Sequence, residues 1–284
     1  MDKSIEQMGQ DLAFGGYSKS TREQYIRSAK ELGAHFDRPV AELVRDDLRA
    51  YVELLQGRGR SASWLKMKLG GITFLYAKTL GRPTDVSFLV WPKQHSPLPT
   101  VLSLSEVAAI LEALQRPVYR AIAMVLYGTG LRIDEALSLE VGDIDGARGV
   151  LRVRHGKGDR ARDARLSPRL LQYLRDYWDM ERPPRPYLFA SRRTGRPPTQ
   201  EAVCHAFALA QEQAGITKRV RPHVLRHSYA THLLEAGTDI RVIQALLGHR
   251  SLQTTMRYTR VSTALVQKVP SPVDLLPSRG LVRR

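Results

Sequence analysis

Residues 221–260 read RPHVLRHSYATHLLEAGTDIRVIQALLGHRSLQTTMRYTR. Pro222 stands where a helix starts well, because its fixed φ suits a first turn and its missing N–H is not needed there. Apolar residues recur at helical spacing up to Gly237, and a second helical run closes at Gly248, so the stretch predicts helices with glycine stops. His223 and Arg226 are three apart and share a face near the helix N-terminus, the end that favours anions. A solvated basic helix start fits the same two residues. His223, His227 and His232 could gather around a metal by spacing alone. No acid falls between them, however, and the single cysteine, Cys204, cannot complete a thiolate site, so no metal is expected. Thr238 to Arg260 also has the outline of a helix-turn-helix DNA reader, with Arg250, Gln253 and Arg257 for groove contacts. Tyr258 taken alone fits a half-buried aromatic.

Upstream, Ser103 or Ser105 is expected to cap a helix through Leu114, and an apolar helix from Val118 to Tyr127 is closed by Gly128 and Gly130. VLRVRH (150–155) and ARDARLS (161–167) flank GKGDR, which predicts a hairpin with glycines at its tip. Pro168 to Met180 reads as a helix offering Leu170, Leu171, Leu174, Tyr177 and Trp178 to a core, and YLFASRRTGRPP (187–198) as a short strand and turn. From Gln200 onward the pattern is helical, with stops at Gly215, Gly237 and Gly248. Near the start of the chain, Ser20 and Glu23 have capping-box spacing ahead of a face made by Tyr25, Ala29, Leu32 and Phe36. A second helix is expected over Asp46 to Leu55, and a third from Ser61 with Trp64, Leu65, Ile72, Phe74 and Leu75. PKQHSPLPT (92–100) has three prolines and no periodicity, which predicts an extended linker. The expected organisation is an all-helical domain from about 13 to 93 and a mixed, mainly α domain from about 101 to 284 that ends in a tail.

Composition narrows the partner. The 284 residues carry 44 Lys plus Arg against 28 Asp plus Glu, a net charge of +16, while 43% apolar content is that of a folded protein. A disordered basic tail is excluded. Residues 1–100 hold 15 basic and 11 acidic side chains and residues 101–284 hold 29 and 17, so the excess lies mostly in the second half. Such a balance favours a polyanion, most often nucleic acid. One cysteine makes no internal disulfide, and MDKSIEQMGQ has acids where a secretory leader needs a basic start and an apolar run, so cytoplasmic residence is expected. The longest apolar stretch, AIAMVLYG, falls far short of the roughly 18 residues of a membrane span.

GTGLRIDEALSLEVGDID, GKGDRAR, HVLRHSYATHLL and LLGHRSLQTTMRYTR occur in that order. Together they resemble the tyrosine recombinase (phage integrase) family, including its Xer-type enzymes, over nearly the whole chain. The resemblance implies a fold that is mainly α with a small β-sheet: an N-terminal helical, SAM-like core-binding domain and a C-terminal mixed α/β catalytic domain, closing as a C-shaped clamp. It implies Arg132, Lys157, His223, Arg226, His249 and Tyr258 as catalytic residues. Asp163 and Arg165 stand where the family usually has apolar residues, a departure away from those six positions.

Phosphodiester cleavage needs a nucleophile, neutralisation of charge at phosphorus and a proton for the leaving oxygen. A tyrosine with a pKa near 10 is only about 0.1% ionised at pH 7 and needs help from its surroundings. The resemblance makes Tyr258 the nucleophile and forms a 3′-phosphotyrosyl intermediate. It has Arg132 and Arg226 fork onto nonbridging phosphate oxygens, and Lys157 protonate the leaving 5′ oxygen as general acid. His223 assists proton transfer at the tyrosine, His249 bonds a phosphate oxygen, and Glu135 orients a neighbour. No cofactor is called for. The partner is double-stranded DNA, bound by a homotetramer of a chain that is monomeric when free. Lys19, Arg58, Arg60, Lys66 and Lys68 are candidates for phosphate contact in the first domain. A type IB topoisomerase shares this chemistry, and a helix-turn-helix regulator would leave Arg132 and Lys157 without a task.

Overall fold

The computed structural model describes residues 2–93, 98–154, 161–249 and 251–259. The chain divides into two units, Met1–Pro97 and Leu98–Arg284, each built on its own apolar core. Among the described residues the architecture is mainly α with one three-stranded sheet.

In the first unit, α1 (Lys3–Phe14) buries Ile5, Met8 and Leu12 in the same core as the later helices. This unit therefore begins ahead of residue 13. Asp2 caps α1 with one oxygen, accepting from the Ser4 N–H at 2.9 Å, and accepts the Val40 N–H at 2.8 Å with the other, which ties the helix start to a distant turn. The second helix, α2 (Lys19–Phe36), is capped by Ser18 and not by Ser20: the Ser18 hydroxyl accepts the Thr21 N–H and also meets the Thr21 hydroxyl at 2.9 Å. Ala29 and Leu32 are buried on its inner face, with Tyr25 and Phe36 packed at the margin. Helix α3 (Arg45–Gly57) runs slightly past both expected ends, and α4 (Ala62–Phe74) starts at a Ser61 cap, as its spacing predicts. Glycine lets α2 and α4 approach closely. A Cβ on Gly70 would lie 2.7 Å from the Tyr25 hydroxyl, and one on Gly71 would lie 2.9 Å from Ser28 Cβ.

The second unit opens with α5 (Leu104–Ala113), where Ser103 and Glu106 form a reciprocal capping box, and α6 (Pro117–Thr129), which ends at Gly130 with φ +66°. After α7 (Ile133–Leu137) come β1 (Ile144–Asp145), β2 (Val150–Val153) and β3 (Arg162–Arg165), an antiparallel meander in that order. The antiparallel pairing of β2 with β3 is the expected one, the glycine tip expected between them lies outside the described residues, and β1 is an addition. Strand alternation settles the departure at Asp163 and Arg165, because Ala164 and Leu166 point inward and those two point to solvent. Helices α8 (Pro168–Glu181) and α9 (Gln200–Gln213) begin at Ser167 and Thr199 caps. Between them the expected strand reduces to a single bridge, Tyr187 with Glu140, while Leu188, Phe189 and Ala190 are buried without extended pairing. The unit continues through α10 (Pro222–Glu235), α11 (Ile240–Leu247) and α12 (Leu252–Met256). Tyr229, Ala230, Leu234, Ile243, Leu247 and Tyr258 make a satellite cluster of their own. Among the described residues no helix is long and apolar enough to cross a membrane.

Candidate active site

Arg226 sits in the first turns of α10 and is only 4% exposed. Its Nη1 donates to the Gly130 carbonyl at the end of α6, and its Nη2 donates to the Leu247 carbonyl at the end of α11 (2.7 Å) and to His249 Nε2 (3.1 Å). One side chain thus fixes three segments. Gly130 is glycine for two reasons: its φ is left-handed, and a Cβ there would lie 2.5 Å from the Tyr229 ring. Burial, followed by the nearby charge of Arg132, lowers the Arg226 pKa to about 10, so it remains a cation at neutral pH. Among the described residues its hydrogen-bond partners are two carbonyls and an imidazole. A buried cation bonded in this way leaves its charge for an incoming anion.

His249 must accept from Arg226 at Nε2, which places its own proton on Nδ1, where it donates to the buried Thr255 hydroxyl at 2.9 Å. Burial and then the Arg226 charge lower its pKa to about 4, so it is neutral at pH 7. Its ring lies nearly parallel to that of Tyr258, 14° between planes with centroids 6.4 Å apart. Tyr258 is 2% exposed, and its hydroxyl meets His227 Nδ1 at 3.1 Å. Burial raises the Tyr258 pKa against the opposing pull of Arg226, Arg257 and Arg132.

Arg132 immediately precedes α7, and Glu135 lies one turn into that helix. The Glu135 carboxylate accepts the Arg132 backbone N–H and Nη1, both at 2.8 Å, and the forked Arg162 guanidinium at 2.9 and 2.7 Å. Arg162, at the start of β3, also donates to the Leu246 carbonyl at 3.3 Å. Burial by itself would raise the Glu135 pKa, but the hydrogen bonds from Arg162 and Arg132 outweigh it and lower the value from 4.5 to about 2. The folded state therefore gains stability from this carboxylate above pH 4.5 and loses it as pH falls toward 2, a contribution on the order of 3 kcal/mol. Chemical denaturation at pH 7 and at pH 3 should show Glu135→Gln clearly destabilised at the first and much closer to the unsubstituted protein at the second. Equal destabilisation at both values would contradict this.

His223 lies on the exposed side of the first turn of α10, its pKa lowered by local desolvation and then by Arg226. Arg132, Arg226, His249 and Tyr258 come together with Glu135. Lys157 lies outside the described residues, as do Arg250 and the tail from Arg260. Among the candidate DNA contacts, Lys19, Arg58, Arg60 and Lys66 are exposed. Lys68 is corrected: it is 3% exposed and its ammonium is bonded to Glu31 at 2.5 Å, so it is not presented to a phosphate. Sequence reasoning missed Arg162 and Thr255, and weighed His227 only as a metal ligand. His227 and His232 turn instead to different tyrosines, Tyr258 and Tyr127. The five-residue α12 is also too short to serve as a recognition helix, and His249 just ahead of it points to Arg226.

Residues 100–264 match the profile of the phage integrase family, and residues 5–85 match that of the phage integrase N-terminal SAM-like domain. A putative integrase/recombinase of Sinorhizobium fredii is 41% identical over 276 residues, which is 96% of this chain and 89% of that protein. The tyrosine recombinase XerA of Pyrococcus furiosus is 34% identical over 276 residues, 96% of this chain and 94% of its own. In fold, the chain is similar to XerH recombinase in a post-cleavage complex with its palindromic difH substrate. The TM-score is 0.71 at 22% identity, over 87% of this chain and 78% of that one.

Proposed function

This chain belongs to the phage integrase family, and on that premise we propose that it is a site-specific DNA recombinase whose Tyr258 cuts and rejoins strands through a 3′-phosphotyrosyl link. The observation that carries the reading is the buried Arg226, bonded to carbonyls and to neutral His249, with the Tyr258 ring stacked on that same imidazole. Arg226 and Arg132 receive the nonbridging oxygens of the scissile phosphate and stabilise the charge that grows as Tyr258 attacks. With its proton on Nε2 in place of Nδ1, His249 donates to one of the same oxygens once phosphate takes over its bond with Arg226, and Glu135 holds Arg132 in place. Exposed Lys19, Arg58, Arg60 and Lys66 contact the backbone from the helical domain. Tyr258, sheltered from solvent, meets phosphate only when DNA is seated.

The test is direct. Protein incubated with labelled duplex from a random pool should yield an SDS-stable adduct, and plasmids carrying the sequence so recovered should give recombinants. Relaxed circles without recombinants would instead indicate a topoisomerase, and binding without any adduct a regulator.

Lys157 is the general acid of this reading. Lys157→Ala should slow single-turnover cleavage by about 10²–10⁴-fold. A 5′-bridging sulfur leaves without a proton and should restore cleavage to this variant but not to Arg132→Ala. No recovery with sulfur would assign the acid elsewhere.

The active assembly is a tetramer on DNA, with the tail after Tyr258 docking on a neighbouring protomer. Its Leu265, Val266, Val269, Val273, Leu275 and Leu276 offer an apolar side in a segment too short for a core. A chain ending at Ser262 should still bind a single site but lose synapsis in gel-shift assays. Unaltered recombination at matched concentration would remove the tail from the assembly.

A further inference from the structure

Among the described residues the reacting oxygen of Tyr258 has one hydrogen-bond partner, and it is not the histidine that the family resemblance nominates. His227 Nδ1 lies 3.1 Å from the phenol oxygen, and the two rings have centroids 5.7 Å apart, beside the cluster that α10 and α11 form around Tyr258. His223 lies one turn earlier on α10, on its exposed side. We infer that His227 is a catalytic residue of the cleavage step, the base that takes the phenolic proton of Tyr258. The inference rests on Tyr258 being the nucleophile.

The polarity of the pair agrees. Burial, then the charges of Arg257, His223 and Arg226, lower the His227 pKa to about 4, while burial raises that of Tyr258. At neutral pH a neutral imidazole therefore faces a protonated phenol, so the phenol donates and Nδ1 accepts, which leaves the imidazole proton on Nε2. A nucleophile and a base within hydrogen-bond reach is the arrangement that activates a weak nucleophile. Burial and the nearby cations weaken His227 as a base in the free protein, but the negative charge of a seated phosphate acts the other way and favours the protonated imidazole. In the forward step the phenolic proton passes to Nδ1 while the bond from Tyr258 Oη to phosphorus forms and the bond from phosphorus to the 5′ oxygen breaks. The 5′ oxygen takes its proton from the general acid. On resealing, the 5′ hydroxyl returns its proton to the general acid as its oxygen bonds to phosphorus, the bond from phosphorus to Tyr258 Oη breaks, and imidazolium His227 gives its proton to the leaving phenolate.

The test uses the full chain and a nicked duplex selected from a random pool by the Tyr258→Phe protein, with single-turnover cleavage as the readout. His227→Ala should cut about 10²-fold more slowly with DNA affinity within a few-fold. His227→Asn keeps a hydrogen-bond acceptor near the position of Nδ1 but cannot take a proton, so it should be equally slow. Fluorotyrosine at position 258 ionises more readily and should recover at least tenfold of the loss in both. In the unsubstituted protein the same fluorotyrosine should leave the rate within about threefold, because proton removal is already assisted there. That arm holds even if both variants fail a thermal-melt check of folding. Unsubstituted-level cleavage by His227→Asn would reduce the contact to positioning and overturn the proposal. So would a loss that fluorotyrosine does not recover, or a tenfold acceleration by fluorotyrosine in the unsubstituted protein. An adduct formed by Tyr258→Phe would instead remove the nucleophile assignment on which the inference rests.

Discussion

Tyr258→Phe should abolish covalent DNA adducts while leaving DNA affinity within a few-fold. The phenol oxygen is the atom that would join phosphorus, and phenylalanine has nothing in its place. The ring itself fills the satellite cluster and stacks on His249, and phenylalanine keeps both contacts. The lost hydrogen bond to His227 costs on the order of 1 kcal/mol of stability. Affinity is insensitive because binding is dominated by many phosphate contacts to a chain of net charge +16. Denaturing gels of labelled duplex give the adduct, and gel shifts give the affinity. An adduct that persists in this variant would mean that another residue attacks.

Arg226→Lys should lower cleavage by at least about 10²–10³-fold, although it keeps the charge. The guanidinium bridges the Gly130 and Leu247 carbonyls and His249 from one planar group. An ammonium is a compact donor on a different stem and cannot span these partners and a phosphate together. At least one carbonyl then loses its buried donor, which costs about 1–3 kcal/mol of stability as well. Thermal unfolding and single-turnover cleavage should therefore both fall, the second far more than the first. Cleavage at the normal rate by the Arg226→Lys protein would remove Arg226 from the phosphate site.

Local chemistry made most helix ends legible. Ser61, Ser103 and Pro222 begin helices, and Gly130 and Gly248 end them in the left-handed region that glycine adopts freely. The misplaced cap of α2 had two serines to choose from, and the choice fell to the side chain that reaches Thr21. Helix α1 did have a signal, since Ile5, Met8 and Leu12 stand at the spacing of one helix face behind an Asp2 cap, but three apolar positions in a short, otherwise polar run make a weak pattern that packing completes. The burial of Lys68 did have a signal: it falls four residues after Trp64 and four before Ile72, on the apolar side of α4. In the site, spacing alone left Arg226 and Tyr258 open to ordinary structural roles, and it was the resemblance of the four ordered motifs to the tyrosine recombinase family that pointed to Arg132, Arg226, His249 and Tyr258. The Arg162 fork on Glu135 and the pairing of His227 with Tyr258 join distant segments, and no local pattern encodes them.

Gly130 has a consequence for how this chain can be lengthened. Arg132 and Arg226 are far apart in sequence, yet Arg226 is bonded to a carbonyl only two residues before Arg132. Their separation is governed by a tripeptide, Gly130–Leu131–Arg132, and one hydrogen bond, not by the sheet, α8 and α9 that lie between them along the chain. Insertions in the turn at Ser191–Arg196, for example a reporter peptide or a short affinity tag, should leave the arginine pair in register, whereas a single residue added between Gly130 and Arg132 should dismantle it.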